Sequence, residues 1–226
     1  RVPVMTALSL ATDGQRAALV GESPNHPSEV YLMAHGDGAP RRLTVSNPWL
    51  AGVELAPQAV FGYQARDGLE LSGVLIRPLE AGQGPAPLLL MVHGGPEAHR
   101  RNGWLTGYST PAQIAAARGY AVYFPNYRGS TGRGVAFSKL GQGDAAGGEF
   151  DDLVDAVDAL AEALLDAGAA VIACELDSSL ADLIDDRLGS RLTASASSPA
   201  PTMPSGSGTS RARSSLMTLL IPKPVN

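Results

Sequence analysis

Two unbroken apolar runs, separated by a short helical stretch, constrain the fold of the middle of this chain. The first run is Leu88-Leu89-Leu90-Met91-Val92. The second is Tyr120-Ala121-Val122-Tyr123-Phe124, and we expect Pro125 to end it. Such runs are typical of strands that are covered on both faces, as in a parallel sheet. Residues Gln113 to Arg118 predict a helix that Gly119 closes. Because a strand, a helix and a strand joined by short loops form a βαβ unit, the sequence predicts an α/β fold here.

Shorter apolar runs with turn residues between them precede this unit. Residues 7–45 alternate apolar runs with turns that contain Asp13-Gly14 and Asp37-Gly38. Asp-Gly between apolar runs is typical of a hairpin, so we predict about two antiparallel strands, the end of a larger all-β unit over residues 1–48. Residues 60–63 and 69–76 predict a second hairpin, which turns at Asp67-Gly68 and opens the α/β part, residues 56–160.

The last third of the chain begins with an amphipathic helix. Apolar residues from Phe150 to Leu165 recur at helical spacing, and Gly168 ends the pattern. Residues 141–192 carry 13 acidic and 2 basic side chains, which we interpret mostly as the solvated face and first turn of that helix rather than as a metal site. Within residues 161–192 we predict a further strand from Ala169 to Cys174 and a short helix from Ser179 to Leu188. The tail, residues 193–226, is rich in small and polar residues over most of its length, so we predict that it is disordered.

Composition excludes several classes of protein. The chain has 226 residues, and no stretch approaches the roughly 18 consecutive apolar residues of a transmembrane helix. One cysteine, Cys174, excludes a disulfide framework and a multi-cysteine zinc site. The first 192 residues lack a basic footprint for nucleic acid. We expect no metal, no cofactor, no membrane partner and no nucleic-acid partner.

The N-terminus, Arg1, shows no signal-peptide pattern, which favours a cytoplasmic location. We also expect the N-terminus to be cut from a longer protein.

The segment that carries chemistry is His93-Gly94-Gly95-Pro96, directly after the first apolar run. A glycine pair at the carboxyl end of a strand lets backbone N–H groups turn toward a bound anion. In α/β-hydrolases, a turn of this HGG type builds part of the oxyanion hole. A plain Gly-Pro turn is the alternative explanation of these four residues.

Two further segments stand downstream in a fixed order. Residues 119–134 read GYAVYFPNYRGSTGRG, and Gly147-Gly148-Glu149-Phe150-Asp151-Asp152 opens the acidic helix. Together with HGGP, this order resembles the prolyl oligopeptidase family of serine peptidases, particularly its acylaminoacyl-peptidase-like and dipeptidyl-peptidase-like members. The resemblance covers roughly residues 7–160. It implies the closing strands of a β-propeller over residues 7–48, followed by the N-terminal half of an α/β-hydrolase domain.

The resemblance also implies roles for individual residues. His93, Gly94 and Gly95 match the oxyanion side of the site, where a backbone amide would hold the carbonyl oxygen of the scissile bond. Arg128, Gly129 and Ser130 match a loop that would help to shape the site; a glycine-rich turn packed against the sheet is an equally good interpretation. The substrate of an intact family member would be a peptide.

The catalytic triad is missing from the pattern. An α/β-hydrolase orders its triad as Ser, then Asp or Glu, then His, and places the serine in a G-x-S-x-G elbow. No G-x-S-x-G occurs in this chain, and its four histidines are His26, His35, His93 and His99. Since no histidine follows residue 99, we predict a peptidase fragment that lacks turnover.

Residues 161–190 permit a different interpretation. They resemble the second strand region of S-adenosylmethionine methyltransferases, notably ribosomal RNA adenine dimethyltransferases, with Glu175 as the acid that would bind the ribose hydroxyls. Gly141 and Gly143 fit a G-x-G-x-x-A loop, but Glu175 lies 32 residues past Gly143, where about 20 is usual. A nucleotide- or S-adenosylmethionine-binding module and a non-catalytic interaction protein are therefore the alternatives, and an ordinary βα unit explains the segment about as well.

Overall fold

The chain folds into two separate β-sheets, with helices on the second. The computed structural model describes residues 3–80, 86–94, 97–108, 110–144 and 147–166, together with strand residues 173–174 and 216–219. Within these residues, an N-terminal sheet of four strands is followed by a mixed sheet of six strands. The domain limits at residues 48, 56 and 160 stay predictions.

The N-terminal sheet is an antiparallel meander. Its strands are β1 (Val4–Leu10), β2 (Arg16–Ser23), β3 (His26–Ala34) and the two-residue β4 (Arg41–Arg42). The sequence predicted about two strands, which was too few. Strand β1 buries little that could mark it as a strand: five of its seven residues are exposed, Leu8 and Leu10 among them.

A buried carboxylate fixes the end of this sheet to the chain that leaves it. Glu29 on β3 is 2% exposed. It accepts hydrogen bonds from Arg42 Nη2 at 2.9 Å, from the Ser46 backbone N–H at 2.8 Å and from the hydroxyls of Thr44 and Ser46. Burial alone would raise the pKa of Glu29, but these donors outweigh it and lower the pKa from 4.5 to about 2.

We predict that Glu29 makes the protein sensitive to acid. The folded pKa lies below the unfolded one, so the stability it provides is present above pH 4.5 and is lost as the pH falls toward 2. Glu29→Gln should lower the free energy of unfolding at pH 7 by about 2 kcal/mol and flatten its dependence on pH in that window. Urea denaturation at pH 7, 4 and 3 measures both effects. Glu22→Gln on the neighbouring strand is the control, and equal losses in the two variants would contradict the prediction.

The mixed sheet begins after a 3₁₀ turn at Pro48–Gly52. A hairpin of β5 (Gln58–Gln64) and β6 (Glu70–Ile76) opens it, as the sequence predicted. Strand β7 (Leu88–Met91), helix α1 (Ala112–Ala116) and strand β8 (Ala121–Asn126) then form the predicted βαβ unit, with β7 parallel to β8. The sheet is mixed because β6 pairs with both β5 and β8 in antiparallel fashion.

Strand β8 continues through Pro125, where the sequence predicted that it would stop. Its pairing with β6 extends from Val122 to Asn126, with Pro125 opposite Gly73. Its pairing with β7 ends earlier, at Tyr123. A proline removes a backbone donor, but among the described residues no strand pairs with β8 on that side beyond Tyr123. The proline therefore stays within the strand.

Helices cover both faces of the mixed sheet. After the short helix α2 (Val135–Ser138) comes α3 (Gly148–Asp166), the long amphipathic helix that the sequence predicted. Leu153, Val157 and Leu160 of α3 pack with sheet residues such as Leu90 and Tyr123 in one buried cluster. The other face buries Val74, Ile76, Leu89, Val122 and Phe124 with Ala112 and Ala116 of α1. No helix in the described ranges has the length and apolarity needed to cross a membrane.

The far edge of the mixed sheet is formed by segments from the end of the chain. Strand β9 (Ala173–Cys174) lies in the predicted strand that ends at Cys174, and β10 (Leu216–Leu219) pairs antiparallel with both β7 and β9. At residues 216–219 the structure differs from the predicted disorder of the tail. These residues belong to the apolar run Leu216–Ile221, which suits a strand beside the apolar β7. The rest of the tail and the predicted helix at 179–188 lie outside the described residues.

Candidate functional site

The candidate site lies where β7 and β8 end. Because these strands are parallel neighbours, the loops that follow them meet at one edge of the sheet. The loop after β7 begins with Val92 and His93. The loop after β8 runs from Tyr127 to Gly134. Its side chains reach both the first loop and helix α3.

The imidazole of His93 is enclosed by the second loop. His93 is 3% exposed, and its Nε2 lies 3.1 Å from the hydroxyl oxygen of Ser130, which is 0% exposed. Tyr127 stacks on the imidazole, with ring centroids 4.7 Å apart and 19° between the ring planes. The Tyr127 hydroxyl donates to the backbone carbonyl of His93 at 2.5 Å. Ring, hydroxyl and backbone contacts together fix the turn that begins at His93.

The contacts of His93 define its tautomer and its charge. Its Nδ1 lies 3.3 Å from the carbonyl oxygen of Gly94, which can only accept a hydrogen bond, so Nδ1 carries a hydrogen. Burial lowers the pKa of His93, the main cause, although the bond to Gly94 partly opposes it. At neutral pH the ring is therefore neutral, and its Nε2 accepts the hydroxyl hydrogen of Ser130.

The predicted oxyanion residues are placed in part. Gly94 follows the buried His93 directly and is itself exposed. A Cβ at Gly94 would meet no atom within 4 Å, so the space beside its backbone is open. Gly95 lies outside the described residues. The oxyanion role of His93, Gly94 and Gly95 stays a prediction. The structure adds that the exposed Gly94 directly follows a buried, hydrogen-bonded His93.

The side chain of Arg128 turns away from His93 and toward helix α3. Its Nε and Nη2 lie 2.7–3.0 Å from the carboxylate of Asp152, and its backbone N–H donates to the same carboxylate at 2.8 Å. The Asp152 carboxylate is 0% exposed. Arg128 Nη2 also lies 2.8 Å from Asp67, in the turn between β5 and β6. These bonds raise the pKa of the Arg128 guanidinium, the Asp152 bond most of all.

Gly129 and Ser130 complete the anchoring of this loop. Gly129 has a φ of +86°, a conformation that favours glycine, and its Cα faces that of Gly141. Ser130 is buried beneath His93. Arg128, Gly129 and Ser130 are thus brought together as a loop packed against the sheet and helix α3, and their part in shaping the site stays a prediction.

Several residues that hold the site were not identified from the sequence. Asn126 accepts a hydrogen bond from the Arg100 N–H at 2.7 Å and donates to its carbonyl at 2.9 Å, which fixes the first loop to the end of β8. His99 Nδ1 lies 2.7 Å from the Thr131 hydroxyl oxygen. Asp152 was assigned to a mostly solvated helix face, but it is fully buried and paired. A polar residue at the end of a buried strand, such as Asn126, is the one pattern that could have indicated these contacts.

The described residues include only part of the alternative cofactor site. Gly141 and Gly143 lie in a turn after helix α2, whereas a dinucleotide loop follows a strand directly. Glu175 lies outside the described residues. Within the part of the chain that the structure describes, no three His, Cys, Asp or Glu side chains are grouped so that they could hold a metal ion.

Two cavities lie away from these loops. They have volumes of about 510 and 440 Å³ and share Asn25, His26, Arg42 and Leu55 in their linings. Both are thus beside the N-terminal sheet, and neither is lined by His93 or Gly94. The candidate site is therefore defined here by the hydrogen bonding and burial of His93.

Comparison with known proteins relates the loop after β8 to a family of enzymes. Residues 106–173 match the model of the prolyl oligopeptidase family. The chain is 32% identical over 155 residues to an uncharacterized peptidase, YuxL, of Bacillus subtilis, a match that covers 68% of this chain and 23% of that protein. It is 39% identical over 138 residues to dipeptidyl aminopeptidase BIII of Pseudoxanthomonas mexicana, covering 58% of this chain and 19% of that protein.

The matched part of the chain, which includes residues 106–173, belongs to the prolyl oligopeptidase family. The acylaminoacyl peptidase of Pyrococcus horikoshii has the same fold over 76% of this chain and 26% of its own length, with a TM-score of 0.62 and 24% identity. The two sheets are therefore propeller-like strands and a partial α/β-hydrolase sheet. The chain spans about a quarter or less of these relatives.

The prolyl oligopeptidase family match also bears on the end of helix α3. The match continues to residue 173, whereas the resemblance expected from the sequence ended near residue 160. None of these matched proteins supports the resemblance of residues 161–190 to RNA dimethyltransferases. The family relation therefore extends over the whole of α3 and reaches β9.

We predict that Arg128 stabilises the fold far more than the neighbouring Arg66. Arg128→Ala leaves the Asp152 carboxylate buried without its cation, which should lower the free energy of unfolding by about 3 kcal/mol. Arg66→Ala is the matched control, because Arg66 pairs with Asp151 and Asp155 nearer the surface and should cost about 1 kcal/mol or less. Urea denaturation measures both values. A loss at Arg128 no larger than that at Arg66 would show that the buried pair is not the stronger anchor.

We also predict that Ser130 helps to keep His93 neutral. In wild type the imidazole of His93 should titrate below pH 6.5, as followed by NMR of its ring protons. Ser130→Ala removes the donor to Nε2, which favours the neutral ring, so the midpoint should move up. Thr131→Ala, which removes a contact of His99 instead, should leave the His93 midpoint in place. A midpoint that does not respond to Ser130→Ala would rule out the assigned tautomer.

Proposed function

We propose that this chain provides the oxyanion side of a serine-peptidase site and that the 226-residue polypeptide does not turn over peptides. The observation that supports this most is the enclosure of His93, which leaves Gly94 exposed at the carboxyl end of β7. Peptides are the proposed substrates of longer proteins that contain this segment. The family relation supports the reaction class, which is acyl transfer to a serine.

The chemistry requires donors aimed at the carbonyl oxygen. When a serine oxygen attacks the scissile carbonyl, negative charge develops on that oxygen, and backbone N–H groups stabilise it. Loss of one such donor costs about 3 kcal/mol of transition-state stabilisation in other serine peptidases. A donor next to a buried, fully bonded residue such as His93 suits this role, because it needs little reorganisation during the reaction.

Ser130 and His93 have the spacing of a nucleophile and its base, but their surroundings argue against that role. Their polar atoms are 3.1 Å apart, within the range of catalytic Ser–His pairs. Both residues are nearly or fully buried, so a substrate carbonyl has no access to the hydroxyl. Their order, histidine before serine, is also the reverse of the order in α/β-hydrolases. We infer that the pair supports the turn rather than attacks a substrate.

A fluorophosphonate probe tests the proposal. We expect no covalent adduct by intact-mass spectrometry, and no release of fluorophore from dipeptidyl or acetyl-aminoacyl coumarin amides. Trypsin is the positive control for the reagent, and circular dichroism verifies that the chain is folded. Stoichiometric labelling of one serine would overturn the proposal, and loss of that label in Ser130→Ala would identify Ser130 as the nucleophile.

A further inference from the structure

The hydroxyl of Tyr127 is bonded to the one peptide group that contains the proposed oxyanion donor. It donates to the carbonyl oxygen of His93 at 2.5 Å. The carbonyl of residue 93 and the N–H of residue 94 belong to the same peptide unit. Any force that fixes the carbonyl therefore fixes that N–H as well.

Peptide geometry determines the direction in which the Gly94 N–H points. A trans peptide is planar, and its C=O and N–H bonds point to opposite sides. Since the His93 carbonyl points to the Tyr127 hydroxyl, the Gly94 N–H points away from Tyr127. Gly94 is exposed, with open space where a side chain would stand.

We propose that Tyr127 is a positioning residue that aims the Gly94 N–H and strengthens it as a donor. The inference rests on the proposed function, because it assigns a device to the same oxyanion turn. Hydrogen bonds in a chain polarise one another, so a carbonyl that accepts a bond makes the N–H of its own peptide a better donor. Tyr127 thus acts through the His93–Gly94 peptide.

The surroundings keep this hydrogen bond in place. The Tyr127 ring is held by its stacking on His93, and the His93 ring is held in turn by Ser130. Burial raises the pKa of the Tyr127 phenol, so the hydroxyl keeps its hydrogen at neutral pH. The loop after β8 is itself anchored by the Arg128–Asp152 pair.

Tyr127→Phe tests the inference, because it removes the hydroxyl and keeps the stacked ring. In ¹H–¹⁵N NMR spectra of the labelled chain, we expect the Gly94 amide proton to move upfield as its peptide loses polarisation. Tyr63→Phe is the matched control: the Tyr63 hydroxyl, like that of the half-buried Tyr127, donates to a backbone carbonyl, that of Asp152, at 2.8 Å. A purely structural role would lower the melting temperature in both variants and leave the Gly94 signal in place. An unmoved Gly94 signal in Tyr127→Phe overturns the inference.

Two further measurements separate this inference from the proposed function. Titration with acetate tests the donor itself: acetate should shift the Gly94 amide of the wild type, and less so in Tyr127→Phe. No response in the wild type would overturn the oxyanion role, whereas equal responses in the two proteins would overturn the role of Tyr127. Residual dipolar couplings of the wild type need no variant, and a Gly94 N–H vector that points toward Tyr127 would also overturn the inference.

Discussion

The buried ion pair between Arg128 and Asp152 is the interaction on which the site depends. Charges that are removed from water are tolerated only when their hydrogen bonds are satisfied. Asp152 receives the guanidinium and the backbone N–H of Arg128. Arg128 also reaches Asp67 in the first hairpin of the mixed sheet. The loop after β8 therefore cannot move without leaving the Asp152 carboxylate unpaired in an apolar interior. This fixes the loop relative to helix α3 and to strands β5 and β6.

The loop after β8 in turn holds the turn after β7 in place. Tyr127 and Ser130 flank the anchored Arg128 in sequence, and both contact His93. Their contacts reach the ring and the carbonyl of His93, so they define the orientation of the peptide that leads to Gly94. Residues 127–130 thus link the ion pair of Arg128 with Asp152 on helix α3 to the hydrogen bonds that Tyr127 and Ser130 make with His93. Stability and the proposed chemistry depend on the same short segment.

The sequence predicted the parts of the fold that depend on periodicity, and missed those that depend on distant partners. The βαβ unit was predicted from the apolar runs at 88–92 and 120–124, and the long helix from the spacing of apolar residues in α3. Both predictions were possible because buried strands and helices carry apolar residues at regular spacing along the sequence. The burial of Asp152 leaves no such pattern, since its partner lies 24 residues away and only the fold brings them together. Glu29, which resembles any exposed strand acid, is likewise explained by donors at positions 42–46. The HGG segment was proposed from the sequence and stays a prediction, whereas the hydrogen bond from Tyr127 to the His93 carbonyl left no pattern in the sequence.

The geometry also shows that local contacts order the turn after β7 and the loop after β8. The contacts that fix His93 and the loop after β8 join residues between Tyr63 and Asp152, within the first part of the mixed sheet. Their order therefore depends on packing of that sheet and α3 rather than on a nucleophile. Catalysis by acyl transfer needs more, because a serine, its base and the amide donors must all lie within about 3 Å of the reacting atoms. Preorganised donors alone retain part of the rate enhancement in serine peptidases, but only when a substrate is held against them.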